Sequence, residues 1–161
     1  MATLTVLKFK TAQGAEEALQ QVESLQRQQL ITLHDAAWVT WPEGKKKPKT
    51  KQLANLTGLG ALDGAFWGML FGLIFFVPFF GMAIGAAMGG LAGKFSDVGI
   101  DDDFIEEVRS QVTEGTSALF LYTSGAVMDR VQEAMKAMDF EIIATNLSAE
   151  EEQELREAFA D

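Results

Sequence analysis

In a chain with no cysteine, the groups whose placement first suggests chemistry are its acids, its lysines and its single histidine. Disulfides, thiolate nucleophiles and cysteine metal ligands are excluded at once. His34 stands beside Asp35, and one histidine builds a metal site only if carboxylates converge on it from elsewhere. A surface role is the simpler expectation. Asp101, Asp102 and Asp103 are consecutive and lack the alternating ligands, glycine and closing glutamate of a calcium loop, so they read as acids at a helix N-terminus. Asp63 is the only acid within a long glycine-rich stretch. It suits either a proton or cation site at a pore mouth or, more simply, an N-cap or first-turn acid. Lys45, Lys46, Lys47, Lys49 and Lys51 form the one strongly basic run. Because that run precedes an apolar stretch, lipid headgroups are its expected partner. There is no phosphate-cradling Gly-Lys-Ser/Thr loop, nucleophile elbow or pair of catalytic carboxylates. The expectation is a protein that is not an enzyme, with no cofactor, no metal and no identifiable small-molecule substrate.

Charge narrows the partners further. The formal net charge of the 161 residues is -10, which argues against nucleic acid, since phosphate binding needs a basic face. Six acids against Arg156 alone occupy the last fourteen residues, whereas residues 64–93 carry no charge. The first ten residues lack the basic and long apolar regions of a secretory signal, so a cytoplasmic start is expected.

The elements that must position these groups are legible from periodicity. Residues 3–9 are apolar and rich in strand formers, and Ala15, Ala18, Leu19, Val22 and Leu25 then recur at helical spacing. Residues 31–41 alternate, with Ile31, Leu33, Ala37, Val39 and Trp41 on one face and Thr32, His34, Trp38 and Thr40 on the other. The same strand, helix, strand order returns over 118–123, 127–138 and 140–147. Two such units predict an α+β, ferredoxin-like (split βαβ) fold: a four-stranded antiparallel sheet with two helices on one face. A helix over Phe104, Ile105, Val108 and Val112 decorates it. A C-terminal acidic helix opens on the Ser148/Glu151 capping box. The organisation is residues 1–42 as the first half, 43–58 as a basic linker, 59–96 as a hydrophobic hairpin and 97–161 as the second half.

Inside the hairpin, Gly60, Gly64, Gly68 and Gly72 precede Pro78, and Gly81, Gly85, Gly89 and Gly93 follow it, each set at unbroken i, i+4 spacing. On a helix that spacing lines one face with no side chains, where another backbone can approach closely. Since glycine costs roughly 1 kcal/mol per residue inside a helix, close packing is the compensating reason. Pro78 marks the hairpin turn. Legs of roughly 25 Å, at 1.5 Å per residue, fall short of the ~30 Å apolar thickness of a bilayer. Both ends of the insertion return to one sheet, so it crosses a membrane twice or not at all. Phe66, Trp67, Phe71, Ile74, Phe75, Phe76, Phe79 and Phe80 represent more apolar surface than one small sheet is expected to cover. Lipid or other copies of the chain are the expected cover.

The run from Asn55 to Leu70, the Phe75–Gly81 turn, Gly85–Gly90 and Ser96–Phe104 resemble a bacterial "predicted membrane protein" family, a domain of unknown function. Thr116–Phe120 and the closing Ser148–Ala158 are similar to its pattern as well. The resemblance implies a glycine hairpin between two βαβ halves and a bacterial membrane-associated protein, with no activity or catalytic residue to carry over. The expected function is a non-enzymatic homo-oligomer of the bacterial inner membrane, its folded domain facing the cytoplasm, in a scaffold or envelope-stress role. A pore-forming protein is one alternative. A soluble homo-oligomer enclosing its hairpins or an apolar ligand is the other.

Overall fold

The computed structural model describes residues 2–28, 32–46, 48–52, 64–76, 100, 102–124, 133 and 140–147. A run rich in apolar and β-branched residues produces β1 (Ala2–Phe9), and α1 (Gly14–Arg27) follows, burying Ala15, Ala18, Leu19, Val22 and Leu25 as its spacing predicts. Then come β2 (Thr32–Thr40), β3 (Lys49–Gln52), α2 (Gly64–Phe71), a π-helical turn (Gly72–Phe76), α3 (Asp102–Gln111), β4 (Ser117–Ser124) and β5 (Phe140–Leu147). The sheet is antiparallel throughout and has five strands in the order β3-β2-β4-β1-β5, one more than the four expected. The addition is β3, which pairs Lys49 through Gln52 with Thr40 through Ala37, within the stretch read as linker. Of the helix expected over 127–138 only Glu133 is described, in helical conformation, and the C-terminal helix lies outside the described residues.

Because side chains alternate along a strand, β1 and β4 each supply both faces of the sheet. Leu7, Phe9, Leu119 and Leu121 meet α1 on one face, while Leu4, Val6, Ala118, Phe120 and Tyr122 meet α2, the π-helical turn and α3 on the other. Helix α1 thus covers one face, and the insertion and the decorating helix α3 cover the other. The apolar stretch after Gly64 differs from expectation for the same reason: Trp67, Leu70, Phe71, Ile74 and Phe75 are buried beneath the sheet's second face. A sheet with one face still open can take five large side chains of its own chain, a burial worth on the order of 10 kcal/mol.

Strand β2 departs from simple alternation. Its register with β4 shifts between Leu33 and Asp35, leaving His34 as the extra residue of a β-bulge. One extra residue inverts every following side chain. Thus Leu33 packs on the α1 face with Ala36 and Trp38, whereas Ala37 and Val39 pack on the α2 face. The expectation that Leu33 shares a face with Ala37 and Val39 is corrected by this bulge.

Candidate functional site

The first arm of the glycine-rich segment is the place where sequence and structure converge. Helix α2, GAFWGMLF, is apolar all round, the pattern of a helix meant for an interior. Its aromatic residues form a connected set on the sheet. Phe71 lies edge-on to Phe120 with ring centroids 5.0 Å apart, and Trp67 stacks on Phe71 at 5.8 Å. Trp67 also meets Phe120 edge-on at 6.3 Å, and Phe75 meets Trp41 in the same way at 6.3 Å. The wider π-helical turn slows the rotation per residue, which brings Ile74 and Phe75 back toward the sheet.

Two polar groups fasten this apolar strap. Trp67 Nε1 donates to Asp35 Oδ2 at 3.1 Å, and the backbone N–H of Ala36 donates to Asp35 Oδ1 at 2.8 Å. Asp35 is only 1% exposed. A buried carboxylate needs such donors, because an unpaired one costs several kcal/mol or neutralises. Without the bulge at His34, Asp35 would face α1 and lose the Trp67 donor. At the other end, Arg109 Nε of α3 donates to the carbonyl of Ile74 at 2.9 Å, and its Nη1 pairs with Glu106 Oε1 at 2.6 Å. A carbonyl near a helix C-terminus has no partner within its own helix, and a guanidinium satisfies it. Sequence reasoning named Asp35 only as the neighbour of His34 and did not reach Arg109. An acid in the middle of an apolar strand was the available signal.

The glycines of the strap have a different environment. Gly68 is exposed, and a Cβ added there would meet nothing within 4 Å; Gly72 is half-buried. The aromatic side of α2 thus faces the sheet and Gly68 faces away from it. Gly60, Gly81, Gly85, Gly89, Gly93, Pro78 and Asp63 lie outside the described residues, as does Lys47. Lys45, Lys46, Lys49 and Lys51 are exposed. Lys49 and Lys51 stand opposite Thr40 and Trp38, on the α1 side of the sheet and not beside the strap.

A polar cleft of about 490 Å³ opens where the loops after β1, β2 and α3 meet, with Lys10, Gln13, Glu43, Glu114 and Thr116 on its walls. Two positive-φ glycines shape it: Gly44 donates its N–H to Glu114 Oε1 at 2.5 Å, and Gly115 donates to the carbonyl of Trp41 at 2.6 Å. Only glycine takes that backbone conformation cheaply. Both hydrogen bonds tie the loop after β2 to the loop after α3. Among the described residues no group of three or more His, Asp or Glu side chains could hold a metal ion. Among the same residues no helix is long and apolar enough to cross a membrane.

No curated protein and no solved structure matches the chain. A family described as a protein of unknown function, DUF1269, matches residues 61–160. That span takes in the strap, α3, β4 and β5, hence Trp67, Phe71, Phe75 and Phe120 of the aromatic set and one of the two fastenings. On this match over more than half its length, the chain belongs to the DUF1269 family of proteins of unknown function.

Proposed function

We propose that this protein is a non-enzymatic, membrane-associated homo-oligomer that assembles through the glycine face of its apolar segment. The observation that carries the reading is the outward-facing Gly68 on a helix whose aromatic side is already held by the sheet. A helix with its bulky side occupied and its smooth side free packs against another helix through backbone approach. The strand order β2-β4-β1-β5 supports completing the domain as a split βαβ fold, with its second helix over 127–138 and the glycine-zipper hairpin inserted after β3. Lys45 and Lys46, exposed ahead of the apolar segment, suit anionic headgroups on the cytoplasmic side of a bacterial inner membrane. A scaffold role fits this arrangement.

Burial of Trp67, Phe71, Ile74 and Phe75 favours a second reading, a soluble homo-oligomer that encloses the remainder of the hairpin. Fractionation of untagged protein separates the two: pelleting with membranes supports the first, and recovery without detergent supports the second. Gly68→Leu tests the shared element. Leucine is the better helix former by roughly 0.8 kcal/mol and meets open space here, so the fold should persist. The native mass should fall; an unchanged mass in detergent and in its absence refutes assembly through this face.

A further inference from the structure

We infer that a second copy of this chain pairs with the outer edge of β5, joining two sheets across a two-fold axis. This rests on the proposed self-association for the presence of a second copy, but the interface is separate from the glycine face. The two edges of the sheet differ in kind. The β3 edge is four residues long and carries exposed Lys49 and Lys51, the short, charged form that resists further pairing. The β5 edge is eight residues long, FEIIATNL, with no proline and one charge, Glu141. It is paired along its whole length to β1, from Phe9–Phe140 to Ala2–Leu147 with no register shift. Among the described residues nothing pairs with its other side. A long, regular, weakly charged edge presents a row of main-chain donors and acceptors to another strand.

Side-chain burial along the strand points the same way. Phe140 and Ile142 are half-exposed, whereas Phe9 and Leu7, their partners one strand inward, are 2% and 0% exposed. A neighbouring strand would complete that burial. A second copy of the strand fits this edge. Two identical strands meeting about an axis perpendicular to the sheet pair residues of equal parity, so the register centres on a residue. Centred on Ile143, it sets Phe140 against Asn146, Glu141 against Thr145 and Ile142 against Ala144. Centred on Ala144, it sets Glu141 against Leu147. Neither places Glu141 against its own copy, so no like charges oppose each other. The β5 edge is complementary to itself, and the lysines of β3 are not.

The natural absence of cysteine makes the test direct. Single variants Ile143→Cys and Ala144→Cys, oxidised in the full-length protein, should form disulfide dimers, because residues on the axis approach within the usual Cα separation of a disulfide. Lys51→Cys on the opposite edge should not. Since Ile143 is buried, wild-type protein supplies a second readout: amide exchange over 140–147 should accelerate severalfold when the oligomer is diluted to monomer. An oligomeric mass with no disulfide dimer at 143 or 144, or exchange over β5 unaffected by dilution, overturns this interface and leaves the glycine-face assembly standing. A monomeric mass under all conditions overturns both. Dimers that survive in a Gly68→Leu background uphold the β5 pairing alone.

Discussion

Replacing Phe71 with alanine separates an apolar segment that belongs to the domain core from one that resides in lipid. Phe71 is 3% exposed and its ring contacts those of Trp67, Phe75 and Phe120. A Phe→Ala change at a site this enclosed costs about 3–5 kcal/mol, the sum of lost transfer free energy and the cavity left behind. In a chain of this size each kcal/mol lowers Tm by about 2–4 °C, so the melting temperature should drop by roughly 6–20 °C. Urea unfolding followed by circular dichroism gives the free energy directly, with Gln20→Ala on the exposed side of α1 as the control. The denaturant slope should stay unchanged, showing that the same surface unfolds. A loss below about 1 kcal/mol would refute the burial of this segment on the sheet, since alanine at a lipid-embedded position leaves the sheet's core intact.

The same assay addresses the fastenings of the strap. Trp67→Phe keeps most of the ring and removes a donor from the Asp35 carboxylate; its coupling to Asp35→Asn in a double-mutant cycle should be about 1.5–3 kcal/mol, the range for hydrogen bonds to charged groups. Arg109→Met should cost about 1–2 kcal/mol by leaving the Ile74 carbonyl short of a donor. Glu106→Gln should stay within about 0.5 kcal/mol, because its carboxylate is 68% exposed and such pairs contribute little.

Much of the sheet was legible from composition and period. Strands β1, β4 and β5 are short apolar runs rich in strand formers, and α1 buries the residues that its spacing selects. Three features were not legible, each for a physical reason. The β3 segment KTKQ has the polar side chains of a linker and becomes a strand only because the exposed edge of β2 is available to pair with it. The bulge at His34 inserts one residue without leaving any mark on composition, so the strand's faces were assigned as if it were regular. Helix α2 is apolar on every side, and a pattern with no polar face has no phase from which to tell the sheet side from the outer side. The glycine spacing was visible; the identity of what lay opposite it was not. Asp35 and Trp67 are 32 residues apart, and only the fold brings them together.

The strap lies on a floor built in part by β4, whose Phe120 and Tyr122 are made after it. During synthesis the aromatic stretch 64–76 therefore exists before its resting place does. Roughly fifty residues separate it from the end of β4, which at ~5–20 residues per second is a window of roughly 2 to 10 s. Throughout that window the nascent chain carries Trp67 and Phe71 without Phe120, the β4 ring they pack against. Apolar surface exposed in this way is prone to association with other apolar surfaces, and the late-arriving strand is what ends that exposure.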